Sequence, residues 1–406
     1  MNISSRVSEI SESITLKLNA KAVEMAESGK HIYNLTAGQL PFRPLPEFSA
    51  LIRDELDFIR SYQYSPVNGY PELRSKILKN WEKTRGMELG EDFDCVVTNG
   101  GKHAVSNIMG TLLDHGDEVI VLAPYWVTYP EIIKFCKGVP KIVYSSPFDV
   151  FTPSIDQIKK EISPRTKAII VNSPNNPTGT HYSDQWMSDF AALMIENPHV
   201  NIICDEIYFQ LFYYDPKPTF YYQKNPELLA RTIIVDGISK TLASTGLRLG
   251  WVIAPKKLTK AITKLQGQTT SGANSLVQRA LVNFDFDLIE SYLEPIKKHL
   301  RDNAQTLREV FKENDLSHTW YQSSSAFYYL IDFSHTPVIE KFKTSENDIT
   351  DHSPEICEAL LESKGVATVP GVAFGMDNSA RMSLVMEKEP FKEALEIIVS
   401  FLNSKD

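Results

Sequence analysis

Four segments of the chain carry residue types that do chemistry in combination. Asn99-Gly100-Gly101-Lys102, Asn172-Ser-Pro-Asn-Asn176-Pro-Thr-Gly179, Asp205-Glu206 and Asp236-Gly-Ile-Ser239-Lys240 each follow a short run rich in Val and Ile. Two glycines at a helix start let backbone N–H groups approach an anion closely, and the helix dipole favours negative charge there, so a phosphate is the natural guest. A lysine amine attacks carbonyls, and a carboxylate stabilises a cationic nitrogen. Taken singly, each segment has a plainer reading as a tight turn, a helix cap, a solvated lysine or a structural Asn-Pro turn. Their joint placement raises the chemical reading, because an open parallel sheet binds ligands outside the carboxyl ends of its strands.

The elements that must position these segments follow one rhythm between about residues 93 and 254. Apolar runs at 95–98, 118–122, 141–144, 168–171, 201–204, 232–235 and 251–254 alternate with helical patterns such as 102–113 and 184–195. Runs of this kind separated by helices indicate strands buried on both faces, hence an α/β fold with an open, mostly parallel, seven-stranded sheet. Outside that rhythm, a helix is expected near 18–28 with Gly29 as its stop signal. Beyond Ser291 a long helical pattern leads to a strand at 327–333, a helix at 355–364, a strand at 380–385 and a helix at 390–402. At 406 residues a single core is too large, so two domains are expected: 46–290 as the large one and 291–406 as a smaller α+β domain joined by the 1–45 arm.

Composition narrows the function classes. With 42 Lys+Arg against 51 Asp+Glu and a net charge of −9, a generally basic surface for nucleic acid is excluded, and any anion must be bound in a local pocket. Cys95, Cys136, Cys204 and Cys357 form neither a Cys-x-x-Cys pair nor a zinc-like cluster, so reduced thiols of a cytoplasmic protein and no metal site are expected. The polar N-terminus and the lack of a long apolar run predict neither export nor membrane insertion.

One prosthetic group needs this set of residues. Pyridoxal 5'-phosphate requires a lysine for its aldehyde, a carboxylate to keep its pyridine nitrogen protonated and a cradle for its phosphate. The chain resembles the class I aminotransferases of pyridoxal-phosphate fold type I, and among them the bacterial aspartate aminotransferase-like subgroup. The motifs, in order, are Tyr64-Ser-Pro-Val-Asn-Gly69-Tyr-Pro-Glu-Leu-Arg74, Ala123-Pro-Tyr-Trp126, Asn172 through Gly179, Asp205-Glu-Ile-Tyr208, Ser239-Lys240 with Arg248, and Arg381-Met-Ser383. The resemblance runs from Ser5-Arg6-Val7 to the last helix.

It implies roles, residue by residue. Lys240 would hold the cofactor as a Schiff base and later carry a proton between the substrate Cα and the cofactor's C4', which requires a pKa below the ~10.4 of free lysine. Asp205 would pair with the ring nitrogen, Asn176 and Tyr208 would bond the phenolic oxygen, and Trp126 would stack on the ring. The backbone of Gly101 and Lys102, the Ser239 hydroxyl and the Arg248 guanidinium would hold the phosphate. Tyr64 would reach the phosphate of a neighbouring subunit, making the protein a homodimer with shared sites. Arg381 would take the substrate α-carboxylate beside Gly38, Asn172, Asn176 and Trp126, and its place in the second domain would couple capture to closure.

The chain departs from the family pattern in places. Gly38-Gln39-Leu40-Pro41-Phe42 replaces Gly-Glu-Pro-Asp-Phe, Gly237 replaces a serine, Ser325 a glycine and Leu247 a tryptophan. Gly237 leaves one phosphate donor missing; none of the changes removes a catalytic group, and together they bear on the substrate side chain rather than the reaction. The expected reaction is ping-pong transamination between an amino acid, aspartate preferred, and a 2-oxo acid, 2-oxoglutarate or oxaloacetate. Thr15 on the N-terminal arm is a candidate to touch the substrate side chain, and no second cation for a distal carboxylate is identified. Prephenate, aromatic and methionine-type substrates remain alternatives, as does a β-lyase on the same fold. A non-catalytic relative would need a lost catalytic residue or an appended DNA-binding segment, and neither is in the sequence.

Overall fold

The computed structural model describes residues 3–12, 14–342 and 350–404. Its largest element is a seven-stranded sheet of β2 (Phe93–Thr98), β3 (Glu118–Leu122), β4 (Val139–Val143), β5 (Thr166–Asn172), β6 (Asn201–Asp205), β7 (Thr232–Gly237) and β8 (Gly250–Pro255). The spatial order is β2-β8-β7-β6-β5-β3-β4, and β8 runs antiparallel to both its neighbours. All seven expected strands are present. The one expected at 141–144 begins two residues earlier, at Val139. Pro140 is tolerated there because β4 lies at the sheet edge, where a missing donor leaves no interior ladder broken.

Helices cover both faces, which is why the strands are continuously apolar. Ile120, Ile169, Ile202, Ile234 and Ile253 face one side, with Ile77 and Trp81 of the helix Pro71–Arg85 and Trp186 and Phe190 of the helix Asp184–Glu196. Val119, Val121, Ile170, Ile203, Ile233 and Val235 face the other side. They pack on Ala104, Val105 and Ile108 of the helix Gly101–Leu112, Tyr129 of the helix Thr128–Phe135 and Ile262 of the helix Lys256–Thr269. Burying both faces leaves the strand ends as the place where polar groups can gather.

The remaining elements form around a second sheet of β9 (Tyr328–Asp332), β11 (Val369–Pro370) and β12 (Ser379–Ser383), ordered β11-β12-β9 and antiparallel. The 26-residue helix Leu288–Glu313 leads to it, burying Leu293, Ile296, Leu300, Leu307 and Phe311 along one face, and packs on the helix Lys388–Leu402. The N-terminal helix is Ile14–Glu27, beginning four residues before the expected span, and Gly29 follows it at φ +90°. β1 (Tyr33–Asn34) then pairs with β10 (Val366–Ala367), and Ser383 donates to the Leu35 carbonyl at 2.9 Å. The N-terminal segment is thereby fastened to the C-terminal elements. Among the described residues no helix is long and apolar enough to cross a membrane.

Candidate active site

The strand order reverses between β3 and β5, and the loops after β2, β3, β5, β6 and β7 meet at that crevice. They enclose a cavity of about 410 Å³. Every expected site residue except one lines it: Gly38, Gly101, Lys102, Trp126, Asn172, Asn176, Asp205, Tyr208, Ser239, Lys240, Arg248 and Arg381, with Thr15 from the N-terminal helix. Tyr64 does not. It is 93% exposed and stands outside the cavity of its own chain.

At one end of the cavity is an anion cradle. The helix Gly101–Leu112 has no side-chain cap at Gly100, so the N–H groups of its first turn lack the usual partner. Gly100 has φ +89°, a conformation strained for any residue with a side chain, and a Cβ there would also lie 2.7 Å from a guanidinium nitrogen of Arg248. Arg248 donates from Nη1 to the Thr245 carbonyl at 2.9 Å and from Nη2 to the Asn99 carbonyl at 3.4 Å, and the residue as a whole is exposed.

Lys240 lies at the cavity floor on the single turn Ile238–Thr241 that continues β7. Its Nζ donates to the Gly38 carbonyl and lies 5.7 Å from the Tyr208 ring centroid and 5.3 Å from that of Phe327. Loss of hydration, then the charges of Arg381 and Arg248, pull its pKa from 10.5 to about 7, against the opposing pull of Asp205. Asp205, the last residue of β6, is 5% exposed. Burial raises its pKa to about 6, although it accepts from the Tyr129 hydroxyl at 2.6 Å and the Ile207 N–H at 3.2 Å.

Opposite stands Arg381, in the middle of β12 and 3% exposed. It donates from Nη1 to Asn176 Oδ1 at 3.1 Å and from Nη2 to the Thr36 carbonyl at 2.9 Å, and its Cζ lies 4.6 Å from the Tyr328 ring centroid. Its Nε is buried without a partner. The residue also lines the cavity, where a guanidinium suits a carboxylate from outside the chain.

The 172–179 segment arches over the same space. Asn172 Oδ1 accepts from the Asn176 N–H at 3.1 Å, and the Ser173–Pro174 peptide is cis. Two tyrosines that the sequence reading missed belong to the site. Tyr129 stands three residues after Trp126, one helical turn on, a spacing that could have been noticed. Tyr328 reaches the Tyr208 hydroxyl at 3.2 Å and sits on the strand paired with that of Arg381, a relation only the register reveals.

The donor set fits pyridoxal 5'-phosphate. The glycine loop with Arg248 suits its phosphate, the carboxylate of Asp205 its ring nitrogen, and the near-neutral amine of Lys240 its aldehyde. Comparisons with known proteins agree. A family model described as aminotransferase class I and II matches residues 30–398. The chain is 34% identical over 400 residues to a probable aspartate/prephenate aminotransferase of Thermus aquaticus, covering 97% of each chain. It is 32% identical over 408 residues to an aspartate aminotransferase of Geobacillus stearothermophilus, covering 100% of both. Among solved structures, an aspartate aminotransferase of Thermus thermophilus with maleate superimposes with a TM-score of 0.87 at 32% identity, covering 99% of this chain and 100% of that one. The chain belongs to the class I and II aminotransferases, enzymes that work with pyridoxal 5'-phosphate.

Proposed function

We propose that the chain transfers the amino group of a dicarboxylic amino acid, aspartate, to 2-oxoglutarate in a ping-pong cycle. The observation that carries this reading is a count of cations. Besides Lys240, three line the cavity: Arg248 beside the glycine loop, Arg381 with its unmatched Nε, and Lys102, whose Nζ lies 5.3 Å from the Trp126 ring centroid. With Arg248 given to phosphate and Arg381 to the α-carboxylate, Lys102 is left for a distal carboxylate. It is the second cation that the sequence alone did not single out, and Thr15 also lines the cavity. The relatives support this reading, since one was solved with maleate, a four-carbon dicarboxylate. Prephenate, named for the Thermus aquaticus relative, also carries a second carboxylate and meets the same requirement.

When bound, pyridoxal 5'-phosphate supplies an aldehyde for the substrate nitrogen and an electron-accepting ring. The chain's residues do the rest. Asp205 holds positive charge at the end of β6, Asn176 and Tyr208 offer hydrogen bonds beside it, and Trp126 flanks it. Lys240, with a pKa of about 7 and so about half unprotonated at pH 7, is the residue that would take and return the proton of the substrate Cα. The segments 1–45 and 291–406 act as a unit that closes on 46–290 when Arg381 engages substrate, excluding water. Tyr64, exposed on its own chain, completes the phosphate site of a second copy in a homodimer. Four unpaired cysteines support a cytoplasmic setting.

The test is a pair of variants against a panel of donors with 2-oxoglutarate. Arg381→Leu is expected to lower kcat/KM by about 10²-fold for every α-amino acid, since all share the α-carboxylate. Lys102→Met is expected to lower it about tenfold or more for aspartate and glutamate and to leave alanine and phenylalanine unchanged. A Lys102→Met loss shared equally by apolar donors contradicts the assignment.

A further inference from the structure

The residue after β2 is gripped at both ends. The Asn99 carbonyl accepts from Arg248 Nη2 at 3.4 Å, and the Asn99 N–H donates to Nδ1 of His103 at 3.0 Å. His103 lies in the first turn of the helix Gly101–Leu112, half-buried, with Nε2 3.3 Å from the Thr270 hydroxyl at the C-cap of the helix Lys256–Thr269. A ring nitrogen that accepts a backbone N–H carries no proton, so the imidazole is neutral and its single N–H, on Nε2, points to Thr270. The rest of the loop is closed by Gly100 N–H to the Thr98 carbonyl at 2.8 Å and Thr98 Oγ1 to the Gly100 carbonyl at 3.1 Å. These bonds fix the loop that leads into Gly101 and Lys102, which line the cavity at an uncapped helix start, and of these bonds the one from Asn99 N–H is the one that a side chain can lose by titrating.

Resting on the reading of this loop as the phosphate cradle, we propose that His103 is a positioning residue: its neutral Nε2–H form holds Asn99 and keeps the cradle closed, and protonating the ring releases the loop and weakens cofactor binding. Burial lowers its pKa below the ordinary 6.5, and no charged group among the described residues contributes to that shift. The charged groups on the loop, Lys102 and Arg248, are both cations, while Thr270 and Ser271 from the neighbouring helix end are neutral. Above the histidine pKa the acceptor is present and binding is tight; as pH falls through it, the Asn99 N–H meets a second donor.

The experiment titrates apoprotein with pyridoxal 5'-phosphate from pH 8 to pH 5, following tryptophan fluorescence, for the wild type, His103→Gln and His103→Leu. The cofactor phosphate ionises near pH 6 and weakens binding in every form alike, so the comparison between variants carries the result. Glutamine keeps an amide oxygen for the Asn99 N–H at any pH. Across this range the wild type is expected to lose about tenfold more affinity than His103→Gln, and His103→Leu to bind about tenfold more weakly already at pH 8. Pyridoxal lacking the phosphate should show neither difference. Nitrogen-15 spectra of wild-type His103, which need no variant to fold, should report the Nε2–H form at pH 8. Parallel pH profiles for wild type and His103→Gln, equal sensitivity with pyridoxal, or an Nδ1–H form would each overturn the proposal. Wild type that fails to bind pyridoxal 5'-phosphate at any pH overturns the cofactor reading beneath it as well.

Discussion

Asp205 and Glu206 are consecutive in the chain, and they face opposite sides of the same sheet. Glu206 is 1% exposed and saturated: its Oε2 accepts from Arg85 Nε and Nη2 at 2.9 and 2.5 Å and from Trp81 Nε1 at 3.3 Å, and its Oε1 from the Tyr222 hydroxyl at 2.7 Å. Among the described residues the Asp205 carboxylate accepts from one hydroxyl and one backbone N–H, and the cation that pulls on it is Lys240. The two carboxylates are equally buried and differently served. One has its charge matched inside the fold and holds the turn after β6 in place. The other is under-matched, with its pKa raised to about 6, which is the environment the proposed pairing with a cationic ligand nitrogen requires.

The largest effect in this contrast belongs to Lys240, the cation that pulls on Asp205. Lys240→Ala is expected to lower turnover by about 10⁴-fold and to leave the thermal midpoint within about 3 °C, measured by kinetics and calorimetry. Next comes the direct exchange between neighbours. Asp205→Asn should lower kcat by about 10²-fold to 10³-fold at nearly unchanged stability. Glu206→Gln, leaving Arg85 buried beside a neutral amide, should cost about 3 kcal/mol of unfolding free energy by urea titration. If the two outcomes are interchanged, the division between a chemical and a structural carboxylate is wrong. The smallest effect sharpens the comparison. Tyr129→Phe removes the stronger of the two bonds to Asp205, so its carboxyl pKa should rise further above about 6 in apoprotein, with a loss in kcat of about tenfold or less.

Much of this arrangement was legible because it is local in the chain. The seven Val- and Ile-rich runs are strands because their residues pack on both faces, and the parallel ones place their succeeding loops at the same edge of the sheet. Lys240, Asp205, Asn176 and Gly101 could therefore be assembled from strand ends alone. The parts that were not legible depend on register and on side-chain direction. Tyr328 joins Tyr208 only because β9 pairs with β12 so that Leu330 lies opposite Arg381. Lys102 was read for its backbone, and its side chain reaches the face of Trp126. The grip on Asn99 by His103 joins residues four apart through a ring nitrogen, a contact that no periodicity announces. The start of β4 at Val139 was missed because proline is tolerated on an edge strand, and edge position is a property of the whole sheet.

The most direct test of the account is to add pyridoxal 5'-phosphate to the apoprotein, reduce with borohydride and map the modified peptide by mass spectrometry. The structure predicts a single reduced adduct on Lys240, formed faster as pH rises through about 7 because the amine must be unprotonated to attack the aldehyde. A stable adduct on Lys102, or none on Lys240 at any pH, would contradict it.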